Sequence, residues 1–184
     1  MNDEPSDAEI AGGLRAGERW AWDALCSRYS QRLWRHVGRL IGSDHQAVAD
    51  VFQETMLAVA RSGRNMSEDS NLWAWLARVG HNQAALFWRR HYRDRAVAAN
   101  LDTSGTDLND PAEAMARMET VMSIRHLLSQ MDADHVTLLS AKYIDGLSVA
   151  QIVQQVGGTT ESVRSRLARA KRDFRERYQR VAAQ

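Results

Sequence analysis

Proline occurs at only two positions in this chain, Pro5 and Pro111. Few helix breakers, with many Ala, Arg, Leu and Gln, confine the 184 residues to a predominantly helical fold. Apolar periodicity agrees. Trp22, Leu25, Cys26, Tyr29, Leu33, Val37 and Leu40 recur at helical spacing and form one face. Residues 1–7 read as a disordered leader, followed by a helix from about Asp7 to Ala16. Gly17 interrupts, and Gly42-Ser43-Asp44 ends the second helix and starts the third.

The third helix, over about 45–61, places Val48, Val51, Phe52, Thr55, Met56 and Val59 on one side. At ~100° per residue, Asp50, Gln53, Glu54 and Leu57 fall on the other, where a leucine among polar groups suits either a contact surface or stray exposure. Residues 62–71 have no period and many turn formers, so they read as a loop. A long helix over about 72–93 follows, its core stripe Leu72, Leu76, Val79, Leu86 and Phe87. Its far side carries Arg78, His81, Trp88, Arg89 and Tyr92. Trp22 and Trp75 are expected in the core, whereas Trp73 and Trp88 lie off the stripe and suit contact with DNA or a partner.

Composition then changes. Residues 96–113 hold Gly105, Pro111 and the acids Asp102, Asp107, Asp110 and Glu113, with no basic residue, and read as a flexible acidic linker. Helices resume through Met115, Met118, Met122, Leu127 and Met131, then through Val136, Leu139 and Tyr143, then over about 148–156 and 160–179. The expected fold class is all-α, with two helical domains, 1–95 and 114–184, joined by the linker 96–113.

The stretch from Gly146 to Lys171 has the build of a helix-turn-helix. Ser148 with Gln151 forms a capping box, and Ile152 and Val156 give a short helix its apolar side. Gly157-Gly158 supplies the tight turn, and Thr159 or Thr160 caps a second helix that buries Val163, Leu167, Ala170 and Phe174. Opposite lie Ser165, Ala168, Arg169 and Arg172, flanked by Arg164, Arg166 and Lys171. The net charge is only +1, yet Arg164 to Arg180 holds eight Lys/Arg against two Asp/Glu. Charge concentrated on one helix face fits a major groove, where Arg reads guanine and its neighbours hold phosphates.

Other classes find less support. His36, His45, His81, His91, His126 and His135 show no metal-ligand spacing, and neither a phosphate-cradling glycine loop nor a nucleophile motif is present. No catalytic residue, metal or cofactor is expected. Cys26, the single cysteine, reads as a buried small hydrophobe in a reducing compartment. The polar, acidic segment Met1 to Glu9 is unlike a signal peptide, and no apolar run approaches the ~20 residues of a membrane span. A cytoplasmic protein without membrane insertion is expected.

The stretch Ala47-Val48-Ala49-Asp50-Val51-Phe52-Gln53-Glu54-Thr55-Met56-Leu57 resembles the D-x-x-Q-E-T-F-L signature of region 2 in the sigma-70 family. Leu25, Tyr29, Leu33 and Gly42 match the helix upstream of it, and Trp75 to Asn82 with Arg89-Arg90 resembles the segment downstream. Tyr143 to Ser148 and Ser162 to Ala170 look like region 4. Both regions in this order, without a region 3, resemble the extracytoplasmic-function sigma factors. Met56, Val153, Gly158 and Glu161 depart from the usual pattern, which bears on promoter preference.

The resemblance implies a transcription initiation factor that binds RNA polymerase core and directs it to promoter DNA. It implies that Asp50, Gln53, Glu54 and Leu57 dock on the β′ clamp helices, with the β flap as a further contact. It implies minus-ten recognition by Asn65, Arg78, Asn82, Trp88, Arg89 and Arg90, and minus-thirty-five recognition by Arg164, Ser165, Arg166, Ala168, Arg169, Lys171 and Arg172. It also implies control by an anti-sigma factor. The alternative is a helix-turn-helix regulator that needs no polymerase core and has no use for the Asp50 face.

Overall fold

The structure, a computed structural model, describes the backbone of residues 4–67, 71–99 and 111–182, with side chains except at 92, 94–99, 111–119 and 181–182. It is all-α. Eight α-helices are present among the described residues: α1 (Asp7–Ala16), α2 (Arg19–Ile41), α3 (His45–Ser62), α4 (Leu72–Ala99), α5 (Pro111–Gln130), α6 (Ala133–Leu139), α7 (Val149–Val156) and α8 (Thr160–Ala182). A 3₁₀ turn, Gly63–Asn65, follows α3, and α6 widens into a π turn over Ser140–Ile144. Helix reaches into both ends of the expected linker. Ala96 to Ala99, three of them alanines, continue α4, and Pro111 opens α5 where its missing N–H costs nothing. Residues 100–110, the middle of that linker, lie outside the described residues, as do the side chains of Met115 and Met118.

The N-terminal helices share a core of Ile10, Leu14, Leu25, Tyr29, Leu33, Val59, Leu72 and Leu76. Ser6 caps α1 through a capping box with Glu9. Asp7 ties α1 to α2, accepting hydrogen bonds from Tyr29 Oη at 2.6 Å and Arg28 Nη1 at 3.0 Å. Cys26 is a free thiol and only half-buried, less enclosed than its helical face suggests.

The buried stripe of α4 differs from the sequence expectation. Leu72 and Leu76 are buried as anticipated, but the stripe continues through Gly80, Ala84 and Trp88, with Trp73, Ala77 and His81 beside it. Leu86 is exposed, and Val79 and Phe87 are half-buried. At Gly80 the backbone of α4 lies directly over α2: a Cβ there would rest in ordinary contact, 3.4 Å from Leu33 Cδ1. The small residues let α4 approach α2 closely, and they carry little of the hydrophobic signal that periodicity reads.

A second core runs between the halves. Val37, Leu40, Val48, Val51, Ala84 and Trp88 pack with Leu127, Met131 and Val136. Arg78 Nη2 meets Asp134 Oδ1 at 2.9 Å, Arg39 pairs with Asp145, and His81 Nε2 donates to Met131 O at 3.1 Å. The helix-turn-helix has its own small core of Leu138, Ala141, Ile152, Val163 and Leu167.

Candidate nucleic-acid interface

Each local device expected of the helix-turn-helix is present. Ser148 and Gln151 cap α7 reciprocally. Gly157 and Gly158 adopt φ of 74° and 90°, a left-handed conformation that a side chain would strain. Thr159 Oγ1 accepts from Ser162 N at 3.1 Å and starts α8. Val163, Leu167 and Ala170 are buried and Phe174 half-buried, which fixes the rotation of α8. Arg164, Ser165, Ala168, Arg169, Lys171 and Arg172 are consequently exposed.

Arg166 departs from the expectation. It is half-buried and folds back on the turn, its Nη2 donating to Gly157 O at 3.3 Å. Its Nε is buried without a partner, and the side chain lines a cavity of about 210 Å³ with Arg78 and Asp134. Lys171 sits at the edge of its face, with Nζ 5.3 Å from the centre of the Tyr143 ring.

On the N-terminal half, Asn65 is exposed on the 3₁₀ turn, and Asn82, Arg89 and Arg90 are exposed along α4. Among the described residues Arg89 uses only its Nε, on the carbonyl of Ala85 at 3.4 Å. Two expected DNA contacts are committed elsewhere. Arg78 is held by Asp134, which raises its pKa further. Trp88 is 3% exposed, and its Nε1 donates to Leu40 O at 3.0 Å. Leu40 lies in the last turn of α2, where carbonyls lack helical partners, so the indole closes a helix end and cannot stack on a base. Trp73 is buried too, stacked on Tyr29 with Arg32 3.7 Å above its ring. Trp75 and Trp22 pack half-buried on the core, as expected. The side chain of Tyr92 lies outside the described residues.

Among the described residues nothing packs over the far face of α3. Asp50, Gln53 and Glu54 are exposed, and Leu57 among them is 42% exposed. Asp50 accepts from Gln46 within its own helix, whereas Gln53 and Glu54 have no partner among the described residues. On the C-terminal half an apolar groove of about 590 Å³ is lined by Ile124, Leu128, Leu139, Tyr143, Phe174 and Tyr178. Tyr143 and Ile144 at its mouth are 57% and 59% exposed.

Comparison with known proteins adds to this geometry. Residues 25–94 match Sigma-70 region 2, and residues 122–174 match Sigma-70, region 4. The ECF RNA polymerase sigma factor SigL of Mycobacterium tuberculosis is 33% identical over 165 residues, covering 89% of this chain and 92% of that protein. The chain belongs to the extracytoplasmic-function sigma factors. As a sigma factor it is a promoter-specific initiation factor for RNA polymerase. It is similar also to the sigma-H factor of Pseudomonas aeruginosa, 28% identical with 93% of each chain covered. The structure of CnrH in complex with the cytosolic domain of CnrY covers 92% of this chain and 95% of its own, at 22% identity and a TM-score of 0.48. Within this sigma factor, region 2 spans α2 to α4, and region 4 contains the helix-turn-helix.

Proposed function

We propose that the far face of α3 docks this sigma factor on the β′ clamp helices of RNA polymerase core. The supporting observation is the face itself: Leu57 exposed among Asp50, Gln53 and Glu54, on a helix whose other side is buried. Carboxylates there accept charge-assisted hydrogen bonds from arginines, and Leu57 supplies an apolar centre. The apolar groove beside Tyr143 suits an apolar partner segment, and the β flap is the polymerase element we assign to it. An anti-sigma factor would act by covering one of these two surfaces. Since its work lies with core polymerase, the protein is placed in the cytoplasm; no described helix is long and apolar enough to cross a membrane.

For promoter DNA, the exposed face of α8 reads the minus-thirty-five element. Arg164, Ser165, Ala168 and Arg169 face the bases, with Lys171 and Arg172 on phosphates. Asn65, Asn82, Arg89 and Arg90 serve the minus-ten strand. Arg78 joins them only after releasing Asp134. An exposed pair of this kind is worth only ~0–1 kcal/mol, so its opening is a small part of separating the domains.

The test is core binding by Leu57→Asp and Glu54→Lys. Both positions are exposed, so melting temperatures should stay near wild type. Affinity for core should fall by about tenfold or more, the scale of losing one well-placed contact. Unchanged affinity would remove α3 from the interface.

A further inference from the structure

Arg32, Arg35 and Arg39 are spaced by three and four residues along α2 and form one strip. They line a cleft of about 250 Å³ whose other wall comes from the π turn after α6 and from α7, with Ser140, Asp145 and Gln155. Arg39 is neutralised by Asp145. The other two arginines have no ion pair among the described residues. Arg32 lies flat against Trp73, 3.7 Å from the ring centre, and makes no hydrogen bond or ion pair among the described residues. The ring supports it from one side and leaves the in-plane N–H donors unused. Among the described residues Arg35 spends only its Nε, on the carbonyl of Gln31 at 3.4 Å. His36 on the same wall is buried and held neutral at pH 7, and its Nε2 has no partner. Partial burial already disfavours the charge on Arg32 and depresses its pKa. Asp145 and Asp7 act on Arg32 only at a distance, without a direct contact among the described residues, so a half-buried guanidinium with free donors gains from an anion placed in the cleft.

We propose that this cleft is a binding site for a phosphate group, gripped by the guanidinium forks of Arg32 and Arg35. Two planar forks in a concave, positively charged site match a phosphate better than a single carboxylate. The volume admits one phosphorylated group rather than a whole cofactor. The phosphate can belong to a free nucleotide or to a nucleic-acid strand; the chemistry is the same. The site is separate from the exposed face of α8 and from the Leu57 face of α3. Its walls come from both domains, so occupancy favours their docked arrangement.

The experiment is calorimetric titration of the full chain with inorganic phosphate, ATP and a short oligothymidylate, alongside melting curves. Wild-type protein should bind phosphate and ATP and melt at higher temperature with either. Arg32→Gln/Arg35→Gln should lose about tenfold or more in affinity, while Arg19→Gln, on an exposed position outside the cleft, should bind as wild type. If the double variant does not fold, Arg35→Gln alone decides, since that side chain is exposed and holds only a backbone carbonyl. Weakened oligothymidylate binding in the variant with ATP binding intact would assign the site to a nucleic-acid strand; the reverse would assign it to a nucleotide. The proposal is overturned if no probe binds, or if every probe binds the variant as well as wild type.

Discussion

Two buried residues show how single side chains set the chemistry of this sigma factor. His36 is 3% exposed, and burial first, then the neighbouring His81, lowers its pKa from the usual 6.5 to about 4. The unfolded chain therefore binds a proton between pH 6.5 and 4 that the folded chain refuses. Stability is full above pH 6.5 and falls as pH drops toward 4, by up to ~3 kcal/mol from this group. Thermal melts across that range should show the decline, and His36→Leu should flatten it. Trp88 makes the second case. Trp88→Phe keeps most of the packing but strands the Leu40 carbonyl, so it should cost ~1–3 kcal/mol in denaturant unfolding. A loss near zero would mean that carbonyl finds water. Neither role was legible in the sequence. Period alone put Trp88 and His81 opposite Leu86 and Phe87, because Gly80 and Ala84 carry too little apolar weight to mark the true stripe. The strip Arg32, Arg35 and Arg39 is equally silent in the sequence, because spacing places it beside the apolar face of α2 but does not show which helices wall it into a cleft.

At the scale of elements, α3 and the helix-turn-helix were the most legible, since each carries local signals that tertiary packing does not override. The capping box of Ser148, the glycine pair and the alternation of Val163, Leu167 and Ala170 with exposed arginines all stand as read. Arg166 was not legible, because its direction depends on the Gly157 carbonyl and on the neighbouring domain, neither of which spacing reports. On α8, Arg169→Ala should cost ~1–3 kcal/mol and relax preference at one base pair of the minus-thirty-five element. Arg172→Ala should instead weaken all promoters alike and reduce the salt dependence of binding. Binding measured on a set of single-base promoter variants separates the two; identical profiles would mean that neither side chain reads a base.

For the whole molecule, the sequence specified two helical halves and a change of character between them, but not that the halves pack together. Leu127, Met131 and Val136 enter a core with Val37, Leu40 and Trp88, and Asp134 and Asp145 pair with arginines of the other half. Contacts so far apart in the chain leave no periodic trace. As a sigma factor this protein confers promoter choice on RNA polymerase core. Run-off transcription tests it most directly, with purified protein, polymerase core lacking sigma, and a genomic promoter library as template. Defined start sites that appear only with the protein, and vanish with Leu57→Asp, are the predicted result. Core activity unchanged by the protein, with operator binding by the C-terminal half alone, would contradict it and leave a helix-turn-helix regulator in its place.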